Sequence, residues 1–358
     1  MTKNMQTNSR VTKKRVKKKR RKKRLLLTVI FSLLILFLIG GGWVFKIFNQ
    51  VNQAVENSFE SDGREAGSEL REFEVNPSKD NVSVLFIGVD HSEHRANENY
   101  ALSDALILAT LNIEENSVKL LSIPRDSLVY IPAATEPGYR GSEMDKITHA
   151  HAYGGPRATI GAIEHLLEVP VDYFVRMNFH AFVDVVDALG GIEFDVPYEF
   201  RESDSDDRGK AIHLLPGVQN INGEEALALA RTRYKDNDIQ RGKRQQELME
   251  AILKKTVSIG SISRISSVID AVEDNIMQNI GDDMLGFASY AISGDLDLEM
   301  VNLEGTDLWT DLYYYQINDE SLREVQQTLQ LHLGIIDEED VVDFNVAEED
   351  ETGDQGAY

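Results

Sequence analysis

The sequence predicts an α/β fold: a central mixed sheet covered by helices, forming a single extracytoplasmic domain behind an N-terminal transmembrane helix. Three observations predict it. Short apolar runs rich in β-branched residues interleave with segments of helical spacing. A dense basic block abuts a long uncharged stretch near the N-terminus. Past that stretch the chain is strongly acidic and carries no cysteine.

The first 24 residues hold thirteen Lys or Arg and no acidic residue. Residues 25–45 then run without a charge until Lys46. At about 1.5 Å per residue they span roughly 30 Å, the hydrocarbon thickness of a bilayer. Basic residues ahead of an apolar segment keep residues 1–24 in the cytoplasm and export the rest, so a transmembrane helix is assigned to 25–47. A cleaved signal peptide is the rival reading. It expects an apolar core of about 7–15 residues and a small-residue cleavage site, whereas Trp43, Phe45 and Lys46 stand there. Nucleic-acid binding is a second use for such cations. Their position against the helix assigns them instead to topology and anionic lipid heads.

Residues 25–358 carry 24 Lys and Arg against 60 Asp and Glu. Such a surface repels nucleic acid and other polyanions, so any phosphate site must be assembled from specific cations. The lack of cysteine excludes disulfides, thiol catalysis and Cys-ligated zinc.

Within the exported part, residues 48–80 read as an acidic stalk, 81–336 as the folded domain, and 337–358 as an acidic tail too poor in apolar residues to fold. Val82–Val89, Ala105–Leu111 and Val118–Ile123 are expected strands buried on both faces. Further strands are expected at Asp172–Met177, Ile192–Val196 and Glu299–Leu303. Helices are expected over Pro156–Glu168, with its Pro in the first turn, and over Phe179–Leu189, ending at Gly190-Gly191. Others fall at Glu224–Ala230, Arg241–Thr256, residues 262–292 and Ser321–Leu333. Residues 201–210 read as a polar loop.

Two strands run into charged residues, the first into Asp90 and the third into Pro124-Arg125-Asp126. Ligands of open α/β sheets bind beyond the carboxyl ends of the strands, where these side chains fall. The segment 231–246 (RTRYKDNDIQRGKRQQ) is densely basic within an acidic chain. Arg231 and Arg233 share a face if extended. Arg241, Arg244 and Gln245 share a helix face that continues to Leu248, Ala251 and Ile252, so these cations point inward. A buried guanidinium needs a partner, and its planar fork matches phosphate. An anion held by several Arg usually brings a hard divalent cation, for which Asp90 and Asp104 are the candidate ligands. The eight His form no zinc pattern. No P-loop, nucleophile elbow or dinucleotide fingerprint is present.

The blocks LFIGVD, SDALILATLN, LLSIPRD, DKITHAHAYGG, LLPGVQNINGEEALALARTR and DNDIQRGKRQQ, in this order over about 80–256, resemble the LytR–CpsA–Psr family of bacterial cell-wall proteins. The resemblance implies a hydrophobic tunnel for a polyprenyl tail. It also implies transfer of an anionic glycopolymer (teichoic acid or capsule type) from a polyprenyl pyrophosphate to peptidoglycan, with Mg²⁺ or Mn²⁺. Asp90 and Asp104 are then the metal ligands, and Asp90, Arg125, Arg231 and Arg233 the catalytic group. Arg95, Lys146, Asp238, Arg241, Arg244 and Gln245 bind the pyrophosphate, and Asp90 or Asp238 takes the acceptor proton. Family members often carry Arg two residues before the second Asp, where this chain has Leu102. The implied location is a Gram-positive-type cell membrane, with the catalytic domain outside and no nucleic-acid partner. Two other classes fit the same residues: a regulatory cell-envelope protein of the transcriptional-attenuator kind, and a lipid-linked pyrophosphatase with water as acceptor.

Overall fold

Continuous apolar runs build the centre of the molecule. The computed structural model describes residue 49 and residues 53–64, 67–89, 101–132, 143–232, 238–258, 275–287 and 296–341. The chain divides into units 1–53 and 54–358, and the sheet and the helices that cover it belong to the second. The expected transmembrane helix at 25–47 and residues 342–358 of the tail lie outside the described residues. Among the described residues no helix is long and apolar enough to cross a membrane.

The strands, in chain order, are β1 Val82–Val89, β2 Ser103–Asn112, β3 Ser117–Ser122, β4 Leu128–Ile131, β5 Glu143–Lys146, β6 Tyr173–Asn178, β7 Ile192–Val196, β8 Phe200–Glu202, β9 Ile212–Leu214, β10 Gly217–Ile221, β11 Ile276–Gln278, β12 Asp297–Asn302, β13 Gly305–Trp309 and β14 Tyr313–Ile317. The helices are α1 Ile147–Leu167, α2 Phe179–Ala188, α3 Gly223–Arg231, α4 Asp238–Ser258 and α5 Asp319–Leu333. Six strands form one mixed sheet in the order β11-β6-β1-β2-β3-β12. β2 is antiparallel to both β1 and β3, while β6 and β12 run parallel to β1 and β3 respectively. The carboxyl ends of β1, β3, β6 and β12 therefore share one edge with the start of β2.

Pleating sends alternate side chains of β1 to opposite layers. Leu85, Ile87 and Val89 join Leu106 and Leu108 in the core beneath α1 and α5. Phe86 and Gly88 face the other way, toward α2, α3 and α4. Those helices pack with β7 and β10 around Val186, Ile192, Ile221, Leu229 and Leu248. Gln246 of α4 donates to the carbonyls of Leu120 and Val301 at 2.9 and 2.8 Å, fixing the helix across β3 and β12. Gly242 permits that approach: a Cβ there would lie 2.9 Å from Ser122 Oγ.

The expected elements over 81–336 fall where sheet and helices form, with differences that have physical causes. The helix expected from Pro156 is the second half of α1, which begins nine residues earlier at Ile147 and kinks at Gly154 and Gly155. Gly155 there takes φ 61 and ψ −150, a conformation open only to glycine. Helix was expected across 262–292; residues 262–274 and 288–292 lie outside the described residues, and within 275–287 β11 pairs antiparallel with β6 and Gly281–Leu285 is a 3-10 turn. An open sheet edge outweighed local preference there. Residues 54–64 and 67–80, within the stalk expected over 48–80, are docked on the domain. Arg71 grips Asp172 through Nε and Nη2 at 2.9 and 2.7 Å, and Asp172 also accepts from Ser83 N at 2.8 Å. Arg64 likewise reaches Glu164 at 3.2 Å.

Candidate active site

The shared sheet edge opens on a cavity of about 770 Å³ between the sheet and the helices α2–α4. Its floor is Phe86, Gly88, Ala105 and Ile107, and its roof includes Phe182, Leu227, Leu248 and Met249. Among the described residues its charged lining side chains are Asp104, Arg125, Arg231 and Arg241. Their contacts put them toward the shared edge: Arg125 meets Asp104 at the start of β2, Arg231 stacks on Phe179 just past β6, and Gly242, next to Arg241, packs on Ser122 at the end of β3. An apolar chamber with a cationic mouth fits a ligand having a hydrocarbon tail and an anionic head.

Each mouth residue is placed by the fold. Asp104 starts β2, and Arg125 follows β3 on the neighbouring strand; Arg125 Nη1 lies 2.5 Å from Asp104 Oδ1. Asp126, buried beside it, stands 3.5 Å from Arg125 Nε and 2.7 Å from Lys146 Nζ, holding two cations apart. Arg231 ends α3. Its guanidinium stacks 4.7 Å from the Phe179 ring centre and donates to Asp207 Oδ1 at 3.0 Å and to the Asp204 carbonyl at 3.2 Å. The 201–210 loop therefore frames the mouth, a role its composition did not announce. Arg241 is 7 % exposed in the first turn of α4. Gln245, one turn on, donates to the Ala230 carbonyl at 3.2 Å.

Not every expected residue meets the cavity. Arg244 shares the inward face of α4, yet its Nε and Nη2 donate to the carbonyls of Leu229 and Thr232 at 2.6 and 2.7 Å, capping the end of α3. Lys146 lies beside the mouth on Asp126 rather than in the cavity lining. Asp90, Arg95 and Arg233 lie outside the described residues, as does the side chain of Asp238 at the start of α4. Leu102 lines the cavity and is 40 % exposed. Asp126 and Asp207 were missed by sequence reasoning. Adjacency in Pro124-Arg125-Asp126 was the available signal for the first, and nothing local marked the second. Behind the mouth, burial pushes the Asp145 carboxyl up, but hydrogen bonds from Tyr153 and His149 outweigh it and leave the pKa lowered.

The sequence model of the LytR_cpsA_psr family matches residues 45–331. The chain belongs to the LytR–CpsA–Psr family. Among relatives in that family, it is 38% identical over 293 residues to the polyisoprenyl-teichoic acid–peptidoglycan teichoic acid transferase TagT of Bacillus subtilis (strain 168), covering 80% of this chain and 88% of that protein. Solved LytR–CpsA–Psr structures share the fold. TagT bound to LIIa-WTA superposes with a TM-score of 0.63 at 38% identity, covering 76% of this chain and 98% of that one. The family protein YwtF (TagT) with bound octaprenyl pyrophosphate lipid superposes with a TM-score of 0.59 at 35% identity, with the same coverage.

Proposed function

We propose that this protein is a phosphotransferase that moves a teichoic-acid-type glycopolymer from a polyprenyl pyrophosphate carrier onto peptidoglycan. The carrying observation is the apolar cavity whose charged end is lined by Asp104, Arg125, Arg231 and Arg241. The related YwtF (TagT) binds octaprenyl pyrophosphate lipid, a molecule with a hydrocarbon tail and an anionic head, which supports this reading. The pattern of residues 1–47, basic then apolar, supports a catalytic domain on the outer face of the membrane.

Moving a prenyl tail from bilayer to cavity exchanges one hydrocarbon setting for another and gains little free energy. Affinity and position therefore come from the head group. Three guanidiniums around a pyrophosphate supply paired hydrogen bonds as well as charge. Attack by a muramic-acid hydroxyl on the phosphorus nearest the polymer forms the new P–O bond, and polyprenyl phosphate leaves with the electrons of the broken one. Such a reaction needs charge neutralisation and alignment more than covalent catalysis. Arg125 and Arg231 face the charge that grows on the departing phosphate, while Arg241 and Gln245 hold the diphosphate in register. Asp90 or Asp238 accepts the hydroxyl proton.

Asp104, a hard oxygen donor at the mouth, would hold Mg²⁺ or Mn²⁺ together with Asp90, and the ion would supply positive charge against the charge developing on the phosphates. Among the described residues no cluster of three His, Cys, Asp or Glu forms a protein-only metal cage.

The test is the full chain with a labelled lipid-pyrophosphate glycopolymer, peptidoglycan and Mg²⁺. Label should become covalently attached to peptidoglycan while polyprenyl phosphate is released, and Arg125→Ala or Arg231→Ala should slow this at least about 100-fold. Label released into solution instead would make the protein a pyrophosphatase. Unchanged turnover in both variants would refute the site.

A further inference from the structure

Beside the mouth, the hairpins β4–β5 and β13–β14 join edge to edge: Tyr315 N donates to the Asp126 carbonyl at 2.8 Å, and Ser127 bridges to Tyr315. Their outer surfaces carry large apolar side chains that no core uses. Trp309 is 74 % exposed, Met144 57 % and Leu312 56 %. Exposed apolar residues taken singly need no explanation, but a pair of aromatic rings stacked at the surface does. Trp309 and Tyr313 stand side by side with ring centres 5.0 Å apart. Lys146 Nζ sits 5.7 Å from the Tyr313 ring centre and 5.6 Å from that of Tyr314. The same ammonium is bound to Asp126, which neighbours Arg125, which in turn meets Asp104 at the cavity mouth. A continuous set of contacts thus runs from the exposed indole to the reacting edge.

Charge decides what the surface accepts. Glu143, Glu304, Asp307 and Asp311 are exposed on these hairpins, and Asp307 accepts from the Tyr313 hydroxyl at 3.0 Å. Carboxylates repel both a phosphate-rich polymer and an anionic bilayer. They accept hydrogen bonds from sugar hydroxyls and amides. Rigid aromatic faces supply amphipathic contact area at little cost in side-chain entropy. We propose that the Trp309–Tyr313 platform binds the uncharged N-acetylated sugar backbone of the acceptor glycan and leads it to the cavity mouth. The proposal deepens the transfer reading and rests on it.

Trp309 and Trp43 are the two tryptophans of the chain, so Trp43→Phe leaves Trp309 as the sole indole reporter. Soluble N-acetylglucosamine oligomers added to that full-length variant should shift its emission to the blue in a saturable way. In the native background, Trp309→Ala should weaken co-sedimentation with purified peptidoglycan about tenfold, with Trp309→Phe recovering most of it. It should also raise the acceptor KM about tenfold and leave the donor KM unchanged. A blue shift produced only by anionic phospholipid vesicles, only by free teichoic acid, or only by raising the protein concentration would overturn the proposal. So would acceptor kinetics unmoved in Trp309→Ala while transfer is intact. Sugar binding at Trp309 in a protein without any transferase activity would instead overturn the function and leave the platform standing.

Discussion

Arg125 and Asp104 occupy each other at the cavity mouth, Nη1 to Oδ1 at 2.5 Å, with about a quarter of each side chain exposed. A part-exposed pair of this kind stabilises the fold by only about 0–1 kcal/mol. Under the proposed function, an anionic head group would compete for Arg125 and a divalent cation for Asp104, and the pair would open as both arrive. Asp104→Asn should release Arg125 and tighten metal-free binding of a short-chain prenyl pyrophosphate several-fold by calorimetry. The same change should remove the response of binding to Mg²⁺ and lower turnover about 100-fold. A metal response retained in this variant would take Asp104 out of the proposed ligand set.

Arg244 and Arg231 separate stability from activity. Arg244, 5 % exposed, satisfies carbonyls at the end of α3, whereas Arg231 borders the cavity. Losing a buried charged donor costs about 2–4 kcal/mol, so Arg244→Ala should lower the melting temperature by about 5–15 °C. Arg231→Ala should shift it by less than about 3 °C while abolishing transfer. Thermal melts alongside activity would show the reverse order if Arg244 were the substrate contact.

The depth of the cavity predicts tail-length selectivity. Ile107 lies two residues farther from the sheet edge than Ala105 on the same cavity wall. Ile107→Trp should shorten the chamber and lower kcat/KM for long-chain carriers about tenfold, with little change for a carrier of one or two isoprene units. Equal losses on long and short carriers would mean that the tail lies elsewhere.

Two buried histidines set an acid limit. His332 holds Nδ1 2.8 Å from Thr110 Oγ1 and Nε2 2.8 Å from Ser117 Oγ. Burial, then the charge of Lys119, lowers its pKa to about 4. His151, with Nδ1 2.8 Å from the Ala101 carbonyl, is lowered to about 4 chiefly by burial. Each is neutral in the folded chain, and the unfolded chain takes up the proton first as pH falls. Their contribution is therefore intact above about pH 6.5 and lost between there and about pH 4. Urea titrations should show stability falling over this window by about 2–4 kcal/mol for each histidine. His332→Gln should flatten the slope.

How much of this was legible in the sequence depended on how each feature is encoded. β1, β2 and β3 were visible because strands covered on both faces are unbroken apolar runs. The inward face of α4 was visible because Arg241, Gln245 and Leu248 recur at helical spacing. Periodicity could place Arg244 on that face but could not say whether a ligand or the carbonyls of α3 awaited it. The β11 strand was missed because its three residues pair through a sheet edge built by β6, far away in sequence. The β13–β14 hairpin was missed although its Tyr-rich strand carried a signal. The link between Arg231 and Asp207 arises only when the loop folds back over α3.

The clasp between Arg71 and Asp172 moves the functional boundary of the domain. Asp172 has 1 % of its side chain exposed and Arg71 8 %, so a fragment beginning at residue 81 would carry an unneutralised carboxylate beneath β1. Burial already raises the pKa of Glu164, whose partners Arg64 and Ser68 would be missing as well. Such a fragment should aggregate or melt early, while one beginning near residue 54 should survive as a protease-resistant core. The acidic leader is then a tie from the folded body's own margin, fastened to Asp172 ahead of β6 and to Glu164 of α1, and proteases acting on the intact protein should cut between residues 67 and 80 more slowly than in an Arg71→Ala variant.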